Sequence, residues 1–281
     1  MPSVHTRIFN VECPDRRGLV HAVTGVLLGE SLNVVGNQEF VDPGSQRFFM
    51  RTEIEGEFDE KRVVSKLQLT LGADAIIRVP PLAPKRIVVL ASREHHCVAD
   101  VLVRHMFREL NCTLFAVVAN HDTLRPLVES FHVPFHYVPS VEGAREAHED
   151  ALLKTLASFE FDYLVLAKYM RILSPAFVQR FAHRIINIHH SFLPAFVGAR
   201  PYQQAYERGV KVIGATAHFV TADLDQGPII VQQVIPVDHT HSPQDLAASG
   251  HDVEQMVLAR ALKLVFEDRV FLCGNRTILF D

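Results

Sequence analysis

Cysteine is scarce in this sequence of 281 residues, and its four cysteines form no CxxC pair. Cys13, Cys97, Cys112 and Cys273 are scattered along the chain, which fits a reducing compartment better than a disulfide framework. We therefore expect each cysteine to be a small buried side chain.

Long apolar runs and an excess of positive charge are also missing. No run approaches the roughly 20 apolar residues that span a bilayer, and Met1 to Arg7 lack the apolar core of a signal peptide. The 28 basic and 32 acidic side chains give a net charge of -4, which provides no broad positive field to attract a polyanion. We expect a cytoplasmic protein that binds neither membrane nor nucleic acid.

Histidine, in contrast, is plentiful, and one pair has a spacing typical of metal ligands. Among the 16 histidines, His132 and His136 are four residues apart, as two ligands on one helix face would be. Pro134 lies between them and excludes a regular helix. We expect an ordinary pair at a strand edge and no metal.

The first 80 residues alternate strand-like and helix-like patterns in the order βαββαβ. This order predicts a ferredoxin-like fold, with two helices on one face of an antiparallel sheet. The predicted elements are a strand at Thr6–Val11, a helix at Leu19–Glu30, strands at Asn33–Phe40 and Arg47–Ile54, a helix at Asp59–Leu71 and a strand at Ala75–Val79.

A proline-rich linker follows this pattern. Pro80, Pro81 and Pro84 cannot continue a sheet ladder and stiffen a spacer. With 48% apolar residues the chain can fill two cores. We therefore expect a first domain over residues 1–83, including the linker, and a second over residues 84–281.

Continuous apolar strands separated by helical stretches characterise the second domain, which predicts a Rossmann-like α/β fold with a mostly parallel sheet covered on both faces. In such sheets ligands bind beyond the carboxyl ends of the strands. The predicted strands are Arg86–Ala91, Leu114–Ala119, Tyr163–Leu166, Ile185–Ile188, Ile213–Val220 and Ile229–Val237, and a helix at Pro243–Phe266 closes the domain.

Three polar residues lie at or just past the ends of predicted strands in this domain. Asn187 and His189 are two residues apart, so an extended chain points both to one side. An amide donor and a protonated imidazole suit stabilisation of an oxyanion. Asp225 lies in a short acidic loop ending in Gly227-Pro228, where a carboxylate can orient the histidine and shuttle protons.

Each of these residues also has a simpler explanation, because Asn and Asp are common in turns and a lone His is often structural. The segment Phe192–Arg200, which contains Leu193-Pro194 and Gly198, predicts an irregular loop directly after the site. Such a loop is typical of backbone that surrounds a substrate.

Three longer motifs occur in order around these residues: Leu166-Ala-Lys168-Tyr-Met170-Arg171-Ile-Leu173-Ser174-Pro175, Asn187-Ile-His189-His-Ser191-Phe-Leu193-Pro194, and His218-Phe-Val220 with Asp225-Gln-Gly227-Pro228-Ile229-Ile230. Together they resemble the folate-dependent formyltransferase family over residues 86–281. The resemblance implies one-carbon chemistry, as in purine biosynthesis, on 10-formyltetrahydrofolate as a substrate, with no permanently bound cofactor.

The resemblance also implies roles for individual residues. Asn187, His189 and Asp225 match the catalytic trio of the family. Plain core packing is an equally good reading for the side chains of Met170, Ile172 and Leu173. The residues that match the folate-binding positions are Met170, Arg171, Ile172, Leu173, Val220, Thr221 and Asp223.

The acceptor side departs from the transferase pattern. Where the glycinamide ribonucleotide enzyme has a glycine-rich phosphate loop, this chain has bulky residues from Ala91 to Cys97. His190 and Lys168-Tyr169 resemble the branch of the family whose acceptor is water, which implies hydrolysis to formate and tetrahydrofolate. A transferase with an amine acceptor and a catalytically silent amino-acid sensor remain as alternatives.

The first domain resembles a second family. Asp15-Arg16-Arg17-Gly18-Leu19-Val20, at the first turn from strand to helix, is similar to ACT modules, which commonly bind amino acids between subunits. The resemblance implies a regulatory domain with an amino-acid effector and a homo-oligomer, a dimer or tetramer. Gly18 is equally well explained as a turn residue with positive φ, and the three charged residues are better explained as a solvated turn than as a binding site.

Overall fold

The computed structural model describes residues 6–140, 143, 145–194 and 201–281. The chain divides into two units. The first comprises the residues up to Ala83 with Asp268–Cys273 and Ile278–Asp281, and the second comprises Pro84–Glu267 with Gly274–Thr277. None of the described helices combines the length and the apolar character needed to cross a membrane.

The first unit contains the predicted βαββαβ order, and each predicted element is present. Its four strands form an antiparallel sheet in the order β2-β3-β1-β4. The elements are β1 (Arg7–Pro14), α1 (Leu19–Gly29), β2 (Asn33–Asp42), β3 (Arg47–Glu55), α2 (Glu60–Leu71) and β4 (Ile76–Arg78).

The two helices bury residues at a spacing of four, which is one apolar stripe per helix. Asp59 caps α2, because its side chain accepts a hydrogen bond from the amide of Arg62. Gly18 precedes α1 with φ 87°, so the expected positive φ is present. The buried helix residues are Leu19, Val23 and Leu27 in α1 and Val63, Leu67 and Leu71 in α2.

A hairpin that the sequence patterns did not predict follows the last helix. Its strands are β12 (Val270–Cys273) and β13 (Arg276–Leu279). Phe271 packs edge to face on Phe49, with the ring centroids 5.7 Å apart, and this contact belongs to the first unit. The second unit differs from the expected domain over residues 84–281 in lacking these segments, because an apolar cluster joins Phe271 to Phe49 of β3.

The second unit contains a sheet of seven strands in the order β11-β10-β9-β8-β5-β6-β7. The five strands from β9 to β7 pair in parallel, which confirms a mostly parallel sheet. The strands are β5 (Lys85–Ala91), β6 (Cys112–Ala119), β7 (Phe135–Tyr137), β8 (Tyr163–Ala167), β9 (Ile185–His189), β10 (Val212–Phe219) and β11 (Ile229–Pro236).

Helices connect or cover these strands. The longest begins at a capping box between Ser242 and Asp245, which satisfies two amide groups at its start. The helices are α3 (His96–Met106), α4 (Arg125–Ser130), α5 (Arg145–Leu156), α6 (Pro175–Arg180), α7 (Pro201–Arg208) and α8 (Pro243–Phe266).

One feature of the sheet differs from a purely parallel arrangement and positions the site. β10 pairs antiparallel with both β9 and β11. In this register His218 lies opposite Asn187, and Thr216 lies opposite His189. The carboxyl end of β10 therefore lies beside the start of β9, and the loop after β10 begins there.

Candidate active site

Asn187 and His189 lie within the last three residues of β9, inside the strand and not beyond its end as the sequence suggested. Both side chains line the same cavity, in agreement with their spacing in an extended strand. The β9 backbone is held on both sides, by Leu166 of β8 and by His218 of β10 opposite Asn187. Two paired neighbours give both side chains a rigid support.

Asp225 reaches His189 from the loop between β10 and β11. Gly227 allows this loop to close, because a Cβ at this position would lie 1.7 Å from the carbonyl oxygen of Phe219. The amide of Phe219 also donates to the carbonyl of Pro228 at 2.9 Å. Asp225 itself has φ 55°, a left-handed conformation that Asp adopts more readily than most residues.

The carboxylate of Asp225 lies between two imidazoles. Its Oδ2 is 3.3 Å from Nδ1 of His189, and its Oδ1 is 3.6 Å from Nε2 of His218. Burial alone raises the pKa of Asp225, but the hydrogen bonds and charges of His189 and His218 outweigh burial and hold the pKa well below its usual range. Asp225 is therefore an ionised group that orients His189.

His189 has one ring nitrogen that Asp225 does not use. Because its Nδ1 donates to Asp225, its Nε2 is the nitrogen that can accept a proton. Nε2 has no hydrogen-bond partner in the described part of the chain. The side chain is 10% exposed, and a donor or acceptor buried to this degree normally has a partner. A substrate group or a water molecule is the natural partner for this atom.

His218 is also a site residue. It belongs to one of the three sequence motifs, but the sequence alone assigned it no role. Its Nδ1 donates to the carbonyl of Phe219 at 3.0 Å, and its Nε2 lies 3.2 Å from Nδ2 of Asn187. The ring is buried, and it contacts both Asn187 and Asp225. The antiparallel pairing of β10 with β9 creates this contact, and single-sequence patterns do not reveal strand order.

A cavity of about 330 Å³ opens beside these residues. Asp223 was predicted to bind folate but is not part of the lining of this cavity, and its side chain is exposed. Met170 and Ile172 are each 54% exposed, which argues against plain core packing for these two. The predicted residues that line the cavity are Met170, Arg171, Ile172, Leu173, Val220 and Thr221.

The loop that carries Met170 to Leu173 is fixed at both ends. The amide of Met170 donates to Oγ of Ser92 at 2.9 Å. The amide of Ser174 donates to Glu149 at 2.6 Å, and the Ser174 side chain caps α6 by accepting from the amide of Phe177. The backbone groups of this loop are therefore held in place before any ligand binds.

A second cavity, of about 690 Å³, borders His189 and Asp225 together with Leu193 and Pro194. The amide of Leu193 donates to the hydroxyl of Thr216 at 3.2 Å, which places the start of the predicted loop against β10. Gly198 and the rest of residues 195–200, which the sequence assigned to that loop, lie outside the described residues.

The bulky segment from Ala91 to Cys97 meets a buried charge cluster that the sequence did not predict. Nε2 of His96 donates to Glu254 at 2.7 Å, and the hydroxyl of Tyr202 donates to the same carboxylate at 2.5 Å. Burial raises the pKa of Glu254, but His96, Lys168 and Tyr202 outweigh it and lower the pKa to about 2. Glu254 is fully buried and lies on α8, far along the chain from the segment that it contacts.

Among the described residues, two groups of side chains lie close enough together to hold a metal ion, and both are in this cluster. They are Glu94 with His96 and His251, and His96 with Cys97 and Glu254. Lys168 lies 3.4 Å from Glu94 and 3.1 Å from Glu254, so an ammonium group already pairs with both carboxylates. His132 and His136 are in neither group, and His136 lies in β7. The four cysteines are buried free thiols, as expected.

The fold and the site together define a class of protein. Residues 85–262 match the formyl transferase family model, which includes β5, the site strands β8 to β11 and most of α8. The chain is also similar over 72% of its length to the crystal structure of glycinamide ribonucleotide transformylase 1 from Symbiobacterium toebii, with 30% identity, 97% coverage of that chain and a TM-score of 0.68.

Other similarities extend over the whole chain. The formyltetrahydrofolate deformylase of Escherichia coli K12 is 48% identical over 279 residues, which is 99% of this chain and 100% of that protein. The crystal structure of a formyltetrahydrofolate deformylase from Pseudomonas syringae matches 100% of this chain and 96% of its own, with 40% identity and a TM-score of 0.94. The chain belongs to the formyltetrahydrofolate deformylase family.

Proposed function

We propose that this protein hydrolyses 10-formyltetrahydrofolate to formate and tetrahydrofolate. The observation that carries the proposal is the contact of His189 with Asp225, beside Asn187 on one cavity wall, in a chain that matches formyltetrahydrofolate deformylases from end to end. The exposed side chains of Met170 and Ile172, on a loop held at Met170 and at Ser174, suit a flat pterin ring in the cavity.

The first step is attack of a water molecule on the formyl carbon. His189 accepts a proton from this water at Nε2, while Asp225 accepts the hydrogen bond from Nδ1 and stabilises the charged ring. A new C–O bond forms, and the carbonyl oxygen becomes an oxyanion. Asn187 donates one amide hydrogen to that oxyanion, while its other amide hydrogen points to Nε2 of His218.

The second step is departure of N10. The protonated His189 returns its proton to N10, because an amine leaves far more readily than an amide anion. The C–N bond breaks, and the products are tetrahydrofolate and formic acid, which ionises to formate. The pKa of Asp225 lies below its usual range, so the proton resides on the imidazole. This refines the expectation that Asp225 itself carries the proton.

The experiment that tests this function needs only the purified protein and 10-formyltetrahydrofolate. Formate release in the absence of any amine is the expected result, and adding glycinamide ribonucleotide or a simple amine should leave the rate and the products unchanged. Turnover that begins only when an amine is added would identify a transferase. No turnover under either condition, with folate binding intact, would identify a silent sensor.

We infer that the first unit is an ACT-type regulatory module that binds an amino acid. Support comes from its βαββαβ order, its antiparallel sheet and the positive φ of Gly18 at the first turn into a helix. Titration calorimetry of the whole protein with individual amino acids tests this inference. Binding of none of them would reject it.

We also propose that the protein is a homo-oligomer. β2 is an edge strand whose Val34, Val35, Phe40 and Val41 are exposed in the single chain, and exposed apolar edge strands commonly pair with another chain. Light scattering during size-exclusion chromatography measures the mass directly. A mass of one chain at all concentrations would contradict this proposal.

A further inference from the structure

Lys168 follows β8 directly, and its side chain is 4% exposed. Its Nζ lies 3.1 Å from Glu254, 3.4 Å from Glu94 and 3.3 Å from Nδ1 of His190. An ammonium group has three hydrogens and no lone pair, so it can only donate. Lys168 therefore donates to Nδ1 of His190, and its contacts with Glu254 and Glu94 are ion pairs.

The backbone of Lys168 has an uncommon conformation. Its φ is 60°, in the left-handed region that residues with a side chain adopt uncommonly. Such a conformation persists where the surrounding contacts determine it. The side chain of Lys168 contacts Glu254, which His96 and Tyr202 hold in turn.

His190 accepts a hydrogen bond from Lys168. Because Lys168 donates to Nδ1, a neutral His190 carries its own hydrogen on Nε2. The ring is stacked on that of His189, with the centroids 4.9 Å apart and an angle of 20° between the planes. Lys168 and His190 both line the cavity that contains Asn187 and His189.

We propose that Lys168 is a positioning residue that fixes His190 as a neutral imidazole with its hydrogen on Nε2, stacked against His189. The consequence for turnover rests on the proposed function, in which His189 gains and loses a proton. A second positive ring at this distance would repel the protonated His189. Lys168 prevents that, because its hydrogen bond occupies the atom at which His190 would take up a proton.

The charges around His190 agree with this geometry. Burial, the charge of Lys168 and the neighbouring His189 lower the pKa of His190 to about 4. Glu254 on α8 and Asp225 in the loop after β10 act in the opposite direction and do not overcome the lowering. Glu94, in the segment before α3, pairs with Lys168 and partly offsets its charge.

Nitrogen NMR of the histidine side chains tests the proposal without any turnover. In the unliganded protein, His190 is expected to carry hydrogen on Nε2 only and not to titrate between about pH 5 and 8, where an ordinary histidine does. In Lys168→Met the same ring should titrate at a higher pH than in the unmodified protein, because one of the groups that lower its pKa is gone. A hydrogen on Nδ1, or titration of His190 near about pH 6.5 in the unmodified protein, would overturn the proposal.

The pH profile of kcat/KM tests the consequence for catalysis. Between about pH 8 and about pH 5.5, kcat/KM of Lys168→Met should fall by up to about tenfold more than that of the unmodified protein, where tenfold corresponds to a His190 with an ordinary pKa near 6.5. Lys168→Met/His190→Gln should not show this additional loss, since no second ring is left to titrate. Lys154→Met removes an exposed lysine from α5 and serves as the matched control.

Removing one member of a buried ion pair can prevent folding. Lys168→Met/Glu254→Gln removes both charges, and it should show the same titration of His190 as Lys168→Met. An unchanged state of His190 in either variant rejects the proposal. If the unmodified protein releases no formate, the proposed function fails, while the NMR result still decides the role of Lys168.

Discussion

His218 lies directly opposite Asn187 in the pairing of β9 with β10, and its Nε2 is 3.2 Å from the Asn187 amide nitrogen. The other ring nitrogen donates to a backbone carbonyl, which fixes the orientation of the ring. The same Nε2 lies 3.6 Å from Asp225. His218 therefore connects the oxyanion donor to the carboxylate that orients His189.

Replacing His218 should impair catalysis without preventing substrate binding. In His218→Phe the ring keeps its volume but loses its polar contacts with Asn187 and Asp225, so both groups can shift. A misplacement of about 1 Å can cost roughly 100-fold in rate. We expect kcat to fall by about that factor with little change in KM, as steady-state formate assays would show. His136→Phe in β7 is the matched control, because it replaces a histidine that does not line the cavity and should leave kcat unchanged.

Asp225→Asn should reduce kcat by about three to four orders of magnitude. The amide keeps the shape of the carboxylate but cannot stabilise a charged His189, and it favours the wrong tautomer of that ring. Tetrahydrofolate binding, measured by calorimetry, should remain. Asp150→Asn, on the exposed face of α5, is the control for loss of one acidic group. Near-normal turnover of Asp225→Asn would remove the role assigned to this residue.

Gly227→Ala should displace the loop that carries Asp225. The added Cβ meets a backbone carbonyl at 1.7 Å, and backbone in a paired strand cannot move aside cheaply. We expect lower thermal stability together with a large loss of kcat. Gly25→Ala in α1 is the matched comparison, because nothing lies within 4 Å of the added Cβ. That change should stabilise the protein by about 0.5–1 kcal/mol, since Ala favours helices more than Gly.

Glu254 should make stability depend on pH in the acidic range. Its pKa is lowered from 4.5 to about 2 in the folded protein, so the unfolded chain binds the proton first as pH falls. The stabilisation is complete above about pH 5 and is lost between about pH 4.5 and 2, to an extent of about 3 kcal/mol. Urea unfolding at several pH values should show the free energy of unfolding falling with pH over this range. Glu254→Gln should be less stable at neutral pH, and its free energy of unfolding should depend less on pH. Identical slopes in both proteins would contradict the assignment.

Much of the fold follows from local patterns in the sequence. Apolar patterns predict helices α1 and α2 and strands β5, β6, β8 and β9, all of which the structure contains. The prolines after β4 predict the end of the first sheet. The capping residues Asp59 and Ser242 mark the starts of α2 and α8. The final hairpin escaped prediction, because its short strands gain their stability from Phe49, which is distant in the sequence.

The candidate site was predicted in part. The spacing of Asn187 and His189 placed both side chains on one face, because strand geometry is local. His218, Tyr202 and Glu254 were not assigned, since each makes its contacts with a partner that is distant in sequence. Asp223 was matched to the folate-binding positions by its motif, but which residues of a loop line a cavity depends on how the loop folds back on the sheet.

The sequence alone determined the two patterns of strands and helices, the motifs that resemble the formyltransferase family and the residue types available for catalysis. Only the tertiary structure decided that β10 runs antiparallel beside β9, which brings His218 to Asn187, and that the following loop returns Asp225 to within 3.3 Å of His189. It also buried Lys168 between acidic side chains and His190. The physical reason is that hydrogen-bonding periodicity acts over a few residues, whereas charge pairing and strand order depend on contacts between distant segments of the chain.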